Sequence, residues 1–571
     1  MKKLLSYLPL FLLFAACSSN NERNVDDTSQ LFYNGNIITM EGDSAATVEA
    51  VVEEDGKIAF VGNLADAEKA FPAASKIDLS GRTMLPGFID PHSHIGQVIN
   101  TMGQVDLSSP PVGNVKNFDD ILTKLKAFKQ EKNIADGEWI FGWGYDENQL
   151  DEKKHISKIE LDRAFPNNPV YVQHTSGHMG VANTKGLEKA GLNANSKNPD
   201  GGMIVRLPGS QELSGLVQET AMYYFAGTAI EEFADKKAPL FDAAQDYYIE
   251  NGVTTAQEGM SDPATMAFLR EKARQKELKI DVVSLPGAGD LAKNIQDSSL
   301  HFGEYHNRLK FQGTKIIADG SPQGKTAYFT QPYLTPVDGC TSNCRGLPSI
   351  PQAELNQLFT LAYKNKHQLF IHSNGDASID MIIKAHETAC QTLGQPLDAD
   401  RRIIVIHSQF VRPDQLATYK KYRLMPSFFT NHAYFWGDDH VRNLGEKRAF
   451  FLSPMRAAEE LGLTYTNHSD CIVTPINPLF TVWSAVNRVS RSGVVIGPDQ
   501  RVSPYLALKA TTLAAATQYF EEDRKGSLKV GKIADFVVLD QNPLTLDPMK
   551  IKDIRVMETI KEGKSIYKRK Q

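Results

Sequence analysis

Met84-Leu-Pro-Gly-Phe-Ile-Asp-Pro-His92-Ser-His94 is an apolar run that ends in two histidines one residue apart. Side chains alternate along a strand, so a strand here points His92 and His94 to the same side. Two imidazoles side by side at a strand end can hold one divalent ion.

The chain downstream repeats this texture. Apolar strand-like runs alternate with helical stretches, the mark of a parallel α/β architecture. The runs are 169–174, 252–258, 279–286, 313–319, 367–372, 402–407, 423–429 and 463–470. With the His-x-His run they give one candidate too many for the eight strands of a (β/α)8 TIM-like barrel. The surplus one is 169–174, because it lies in a long stretch, about 100–235, that reads as an insertion. In such a barrel the C-terminal strand ends converge on one face, where functional groups collect. Four of these runs carry metal-binding chemistry near that end: Lys315 inside 313–319, His372, His407 and Asp470. A strand-end histidine, a Ser-Asp pair or a lysine stem each has an ordinary structural reading. Four imidazoles, a carboxylate and a lysine at strand ends exceed what a core tolerates.

Both ends of the chain look different from the middle. Residues 31–84 read as short strands with hairpin signals at Asn34-Gly35 and Asp55-Gly56. Residues 516–571 carry strand-like runs at 534–540 and 556–567. A small β-sandwich domain built from both termini, flanking a barrel over 85–515, accounts for this.

The run Pro86-Gly-Phe-Ile-Asp-Pro-His-Ser-His94 resembles the first metal strand of the amidohydrolase superfamily, and the order Lys315, His372, His407, Asp470 is similar to its remaining ligands. Trp139-Ile-Phe-Gly-Trp-Gly-Tyr-Asp146, Pro169 to Asn183, and Lys315-Ile-Ile-Ala-Asp-Gly-Ser321 resemble the amidohydrolase family 3 group of YtcJ-type proteins. The resemblance implies one or two Zn2+ ions. His92, His94 and Asp470 would hold one, His372 and His407 the other, and Lys315, N6-carboxylated, would bridge them. It implies hydrolysis of a non-peptide carbon–nitrogen bond, with Asp470 moving the proton. His178 and His432 are its candidates for substrate binding. The chain departs from that group at Ser176-Gly-His178, at His174 in place of an arginine, and at Phe429-Thr-Asn-His432, all positions expected near substrate. Deamination of a ring, and a binding protein that lost catalysis, are the competing functions.

Composition excludes other classes. The net charge of −6 gives no basic footprint for nucleic acid, so the expected partner is a small molecule, with a homodimer left open. Lys2-Lys3, the apolar run 4–14 and Phe14-Ala-Ala-Cys17 resemble a lipoprotein leader over 1–17, with Cys17 lipidated and 18–30 as a tether. An ordinary secretory leader with a chance cysteine is the alternative. Either reading puts the protein outside the cytoplasm, and the first places it in the cell envelope, membrane-bound through a lipid anchor only. That compartment favours a disulfide between Cys340 and Cys344. Cys390 and Cys471 read as packing residues, and Tyr434-Phe-Trp436 as a patch able to meet an apolar substrate.

Overall fold

The computed structural model describes residues 29–225, 237–337 and 340–570. The leader and Cys17 lie outside these residues.

Parallel pairing runs from Phe88–Ile89 to Val253–Ser261, Asp281–Pro286 and Leu309–Phe311. A second parallel set runs from Thr314–Ile317 to Leu369–Ser373, Ile404–His407, Met425–Phe428 and Thr466–Asn467. Leu309–Phe311 and Thr314–Ile317 are two halves of one strand. They part at Gln312-Gly313, and Gly313 is needed there: a Cβ would sit 2.6 Å from the carbonyl oxygen of Gln368. The last strand returns to the first through His94 N–H to Cys471 C=O at 2.7 Å and Asp470 N–H to His92 C=O at 3.1 Å. This is a TIM-barrel-type α/β arrangement of eight parallel strands.

Helices cover the strands with their apolar faces. Asp376–Leu393 buries Ile379, Ile382, Ala385, His386 and Ala389, at the spacing of one helix face. The helix Pro263–Arg274 starts where Asp262 accepts from the Thr265 N–H at 2.6 Å, satisfying a donor that has no partner within the helix.

The chain ends meet in one eight-stranded sheet. Thr83–Pro86 lies between Gln30–Ile38 and Phe536–Leu539, so N-terminal and C-terminal strands share a single hydrogen-bond ladder. Phe32, Ile37, Val51, Met84, Phe536, Val538 and Ile560 pack on it. Each such burial contributes roughly 1.5–3 kcal/mol. A buried ion cluster ties this sheet to the barrel. Asp281 Oδ2, at the start of the third barrel strand, lies 2.6 Å from Lys525 Nζ and 2.9 Å from Lys561 Nζ.

Val170–His174 belongs to a separate six-stranded sheet, with Val105–Asp106, Ile140–Tyr145, Met179–Ala182, Gly202–Arg206 and Leu213–Glu219. That sheet has its own core of Leu107, Ile121, Ile140, Val172 and Val181. Cys340 and Cys344 are disulfide-bonded. Cys390 and Cys471 are buried free thiols. Among the described residues no helix is long and apolar enough to cross a membrane.

Candidate metal centre

His92 is 1% exposed, and its protonation is set by what surrounds it. Gln257 donates from Nε2 to the Pro91 carbonyl at 2.8 Å, which fixes its Oε1 as the acceptor facing His92. His92 therefore donates from Nδ1 to Gln257 Oε1 at 2.6 Å, and its Nε2 lone pair is left facing inward. There it meets Lys315 Nζ at 3.1 Å and Asp470 Oδ1 at 3.3 Å. His94 Nε2 lies 3.5 Å from the same Oδ1.

His372 is held at Nε2 by the Gly320 carbonyl at 3.2 Å and by Asn374 Nδ2 at 3.0 Å, and its Nδ1 lies 3.0 Å from His407 Nε2. His407 Nδ1 lies 3.0 Å from His468 Nε2 and 3.9 Å from Asp470 Oδ2. One carboxylate thus reaches both histidine groups. Ligand atoms of His92, His94 and Asp470 all lie within 4.8 Å of one another, and so do those of His407, His468 and Asp470.

These separations fit a metal. Zinc binds nitrogen and oxygen at about 2.0–2.2 Å, so neighbouring ligand atoms around one ion stand roughly 3–3.5 Å apart. His94 Nδ1 is buried with no partner among the described residues. The chemistry of the donor set, imidazoles with one carboxylate, is that of a divalent transition-metal site.

Electrostatics point the same way. Burial holds His92, His372 and His407 well below the usual imidazole range, as neutral imidazoles. Burial pushes the Lys315 ammonium down to about 7, against the pull of Asp470 and Glu258. Burial opposes ionisation of Asp470, but His94 outweighs it and keeps the carboxyl below its ordinary value. His407 and Asp470 both sit at positive φ, 71° and 51°, a conformation that costs free energy and clusters at functional positions.

A cavity of about 590 Å³ opens over this group, lined by His92, His94, Lys315, His372, His407 and Asp470. The inserted sheet supplies its other wall. His178, just before Met179–Ala182, pairs through Nδ1 with Glu219 Oε2 at 2.8 Å. Burial disfavours the imidazolium, yet Glu219 outweighs it and raises the His178 pKa. His432 is placed elsewhere. Its Nδ1 bonds His440 Nε2 at 3.0 Å, its ring packs on Phe429 and Trp436, and it is not among the residues lining the cavity.

Gln257, His468, Glu219 and Glu258 were not singled out in the sequence reading. Glu258 closes the run 252–258 and lines the cavity, so its strand-end position was the available signal. Glu219 carried none, because it comes from the inserted sheet.

Residues 76–567 match the model of the amidohydrolase family. The chain belongs to the amidohydrolase family. This amidohydrolase is 25% identical over 551 residues to N-substituted formamide deformylase of Arthrobacter pascens, covering 94% of this chain and 98% of that protein. It is 29% identical to the protein LONG AFTER FAR-RED 3 of Arabidopsis thaliana, over 94% of this chain and 91% of that one. Its fold is similar to that of an uncharacterized metal-dependent hydrolase from Pyrococcus horikoshii OT3, with TM-score 0.70, 24% identity, and 91% and 99% of the two chains covered.

Proposed function

We propose that this amidohydrolase is a metal-dependent hydrolase of a non-peptide carbon–nitrogen bond, in an N-formyl or other N-acyl amide, a cyclic amide or a carbamate. The observation that carries this reading is the Asp470 carboxylate shared between two histidine groups at the floor of one cavity. The deformylase relative, matched along nearly its whole length, favours an N-acyl amide.

His92, His94 and Asp470 would hold one divalent ion, and His372 and His407 a second, with zinc the reading for both. Lys315 would join them as an N6-carboxylated anion, since its free amine is available near pH 7. A bound divalent ion supplies Lewis acidity, polarising a carbonyl and bringing the pKa of a water to about 7. Asp470 Oδ2 takes the proton of the attacking water and passes it to the leaving nitrogen. His178, whose imidazolium Glu219 favours, donates to the developing oxyanion. Glu258, buried in the cavity wall, accepts from the Gly96 N–H and acts on Lys315 through its charge.

The same reading assigns residues 31–84 and 516–571 to one β-domain and 85–515 to the barrel with its insertion at about 100–235, with Cys17 as the lipid anchor to the cell envelope. Cys17→Ser, expressed with its leader, should lose the fatty-acid label that the wild type takes up from labelled palmitate.

The deciding experiment is a panel of N-substituted formamides, N-acyl amides, cyclic amides and aminopurines, with release of carboxylate and ammonia followed separately. Carboxylate release from an N-acyl amide supports the proposal. Ammonia release from aminopurines alone would replace it with a deaminase.

A further inference from the structure

A second cavity, about 320 Å³, adjoins the first, and Thr101, Ile472 and Val473 line both. That is the size of a small-ligand site. Its body is apolar and aromatic, with Trp143, Tyr247, Phe435 and Trp436 on the walls. Its polar groups are incomplete. Arg491 Nε and Nη1 are buried and have no hydrogen-bond partner among the described residues. The guanidinium lies 5.2 Å from the Phe435 ring centroid, which positions it without satisfying its N–H groups. Ser109, 6% exposed, also lines the cavity, and its Oγ is likewise buried without a partner.

Unpaired donors of this kind cost free energy unless something fills them. A guanidinium edge, Nε–H beside Nη2–H, is a fork that matches a planar two-oxygen anion, and the unpaired Nε–H lies on that edge. The surrounding charge limits that anion. Asp106 and Asp146 line the cavity, and Asp438 and Asp439 also act on Arg491. Asp146 is itself engaged, accepting from Trp436 Nε1 at 2.7 Å, with His174 Nε2 3.7 Å from its other oxygen. A monoanion gains from Arg491 and meets limited repulsion, whereas a dianion meets more.

We propose that this cavity binds a small monocarboxylate with an aromatic or aliphatic body, its carboxylate held by Arg491 and Ser109 and its body by Trp143, Phe435 and Trp436. The site stands apart from the metal group, so it does not depend on the hydrolase reading.

Two of the four tryptophans of the chain line the cavity, so intrinsic fluorescence reports its filling. The metal-loaded protein is titrated with phenylacetate and with inorganic phosphate; phenylacetamide, the neutral isostere, is itself an amide and is titrated only after chelation. The series is repeated after chelation and in Arg491→Gln and Ser109→Ala. Saturable phenylacetate binding is expected, at least tenfold tighter than phenylacetamide or phosphate and unchanged by the chelator. Arg491→Gln should weaken it at least tenfold and Ser109→Ala severalfold, with unchanged metal content. Three results overturn the proposal: no saturable binding; binding lost on chelation but kept in Arg491→Gln, which places the carboxylate on the metal; or binding in Ser109→Ala and wild type that does not distinguish the acid from its amide. Should Arg491→Gln fold poorly, Ser109→Ala and the acid-to-amide comparison still decide.

Discussion

Asp470 meets His92 twice: Oδ1 lies 3.3 Å from His92 Nε2, and the Asp470 N–H donates to the His92 carbonyl at 3.1 Å. The backbone bond locks the last strand end to the first, whatever the side chain does. Asp470→Asn therefore keeps the strand closure and removes the proton acceptor. Steady-state turnover on the substrate found by the panel should fall by about 10²–10⁴, while most of the bound metal stays. Near-normal turnover would remove Asp470 from the chemistry.

Lys315 is 3% exposed and next to His92, and burial brings its amine to about 7. An amine in part deprotonated at neutral pH reacts with carbon dioxide, turning a repelling cation into an anion. Native mass spectrometry in bicarbonate should show one added carboxylate that disappears in Lys315→Ala. An unmodified lysine at full metal occupancy contradicts the bridging role.

Gly259 packs directly against the first metal strand. A Cβ there would stand 2.6 Å from His92 Cε1 and 2.8 Å from His94 Cε1. Gly259→Ala must push both rings aside. Metal content and activity should drop together in this variant, with its circular dichroism unchanged.

Asp281 is buried between Lys525 and Lys561. Burial alone would raise its pKa, but the two ammonium groups outweigh that and hold it far below the ordinary value. A carboxyl depressed in the folded state contributes stability above its unfolded pKa of about 3.9. That contribution fades as pH falls below this value. Asp281→Ala removes the carboxylate shared by Lys525 and Lys561, leaving Lys525 on Glu521 and Lys561 on Asp535, and should cost about 1–3 kcal/mol. Thermal melts should show a lower Tm for the variant at pH 7, and a difference from wild type that shrinks as the pH is lowered below 4.

Much of this site could be read from the chain itself, for a physical reason. The proposed metal ligands His92, His94, His372, His407 and Asp470 stand at the ends of apolar strands, as polar full stops in otherwise buried runs. The partners that aim those ligands are not so marked. Gln257 sits mid-strand and looks like any buried amide, yet it sets the His92 tautomer. The positive φ of His407 and Asp470 is a tertiary property with no local signal. His432 follows the seventh strand, so the sequence suggested that it faces substrate. The short helix Asn431–Phe435 instead turns its ring toward His440. The aromatic run Tyr434-Phe-Trp436 is divided too: Phe435 and Trp436 line the second cavity, not the first.

Elemental analysis of the purified protein tests the metal centre most directly, alongside His92→Ala and Asp470→Ala. One or two equivalents of a divalent ion, zinc foremost, should accompany the wild type and fall in both variants. A wild-type protein that takes up no ion when zinc is supplied, or variants that hold as much as the wild type, would contradict it.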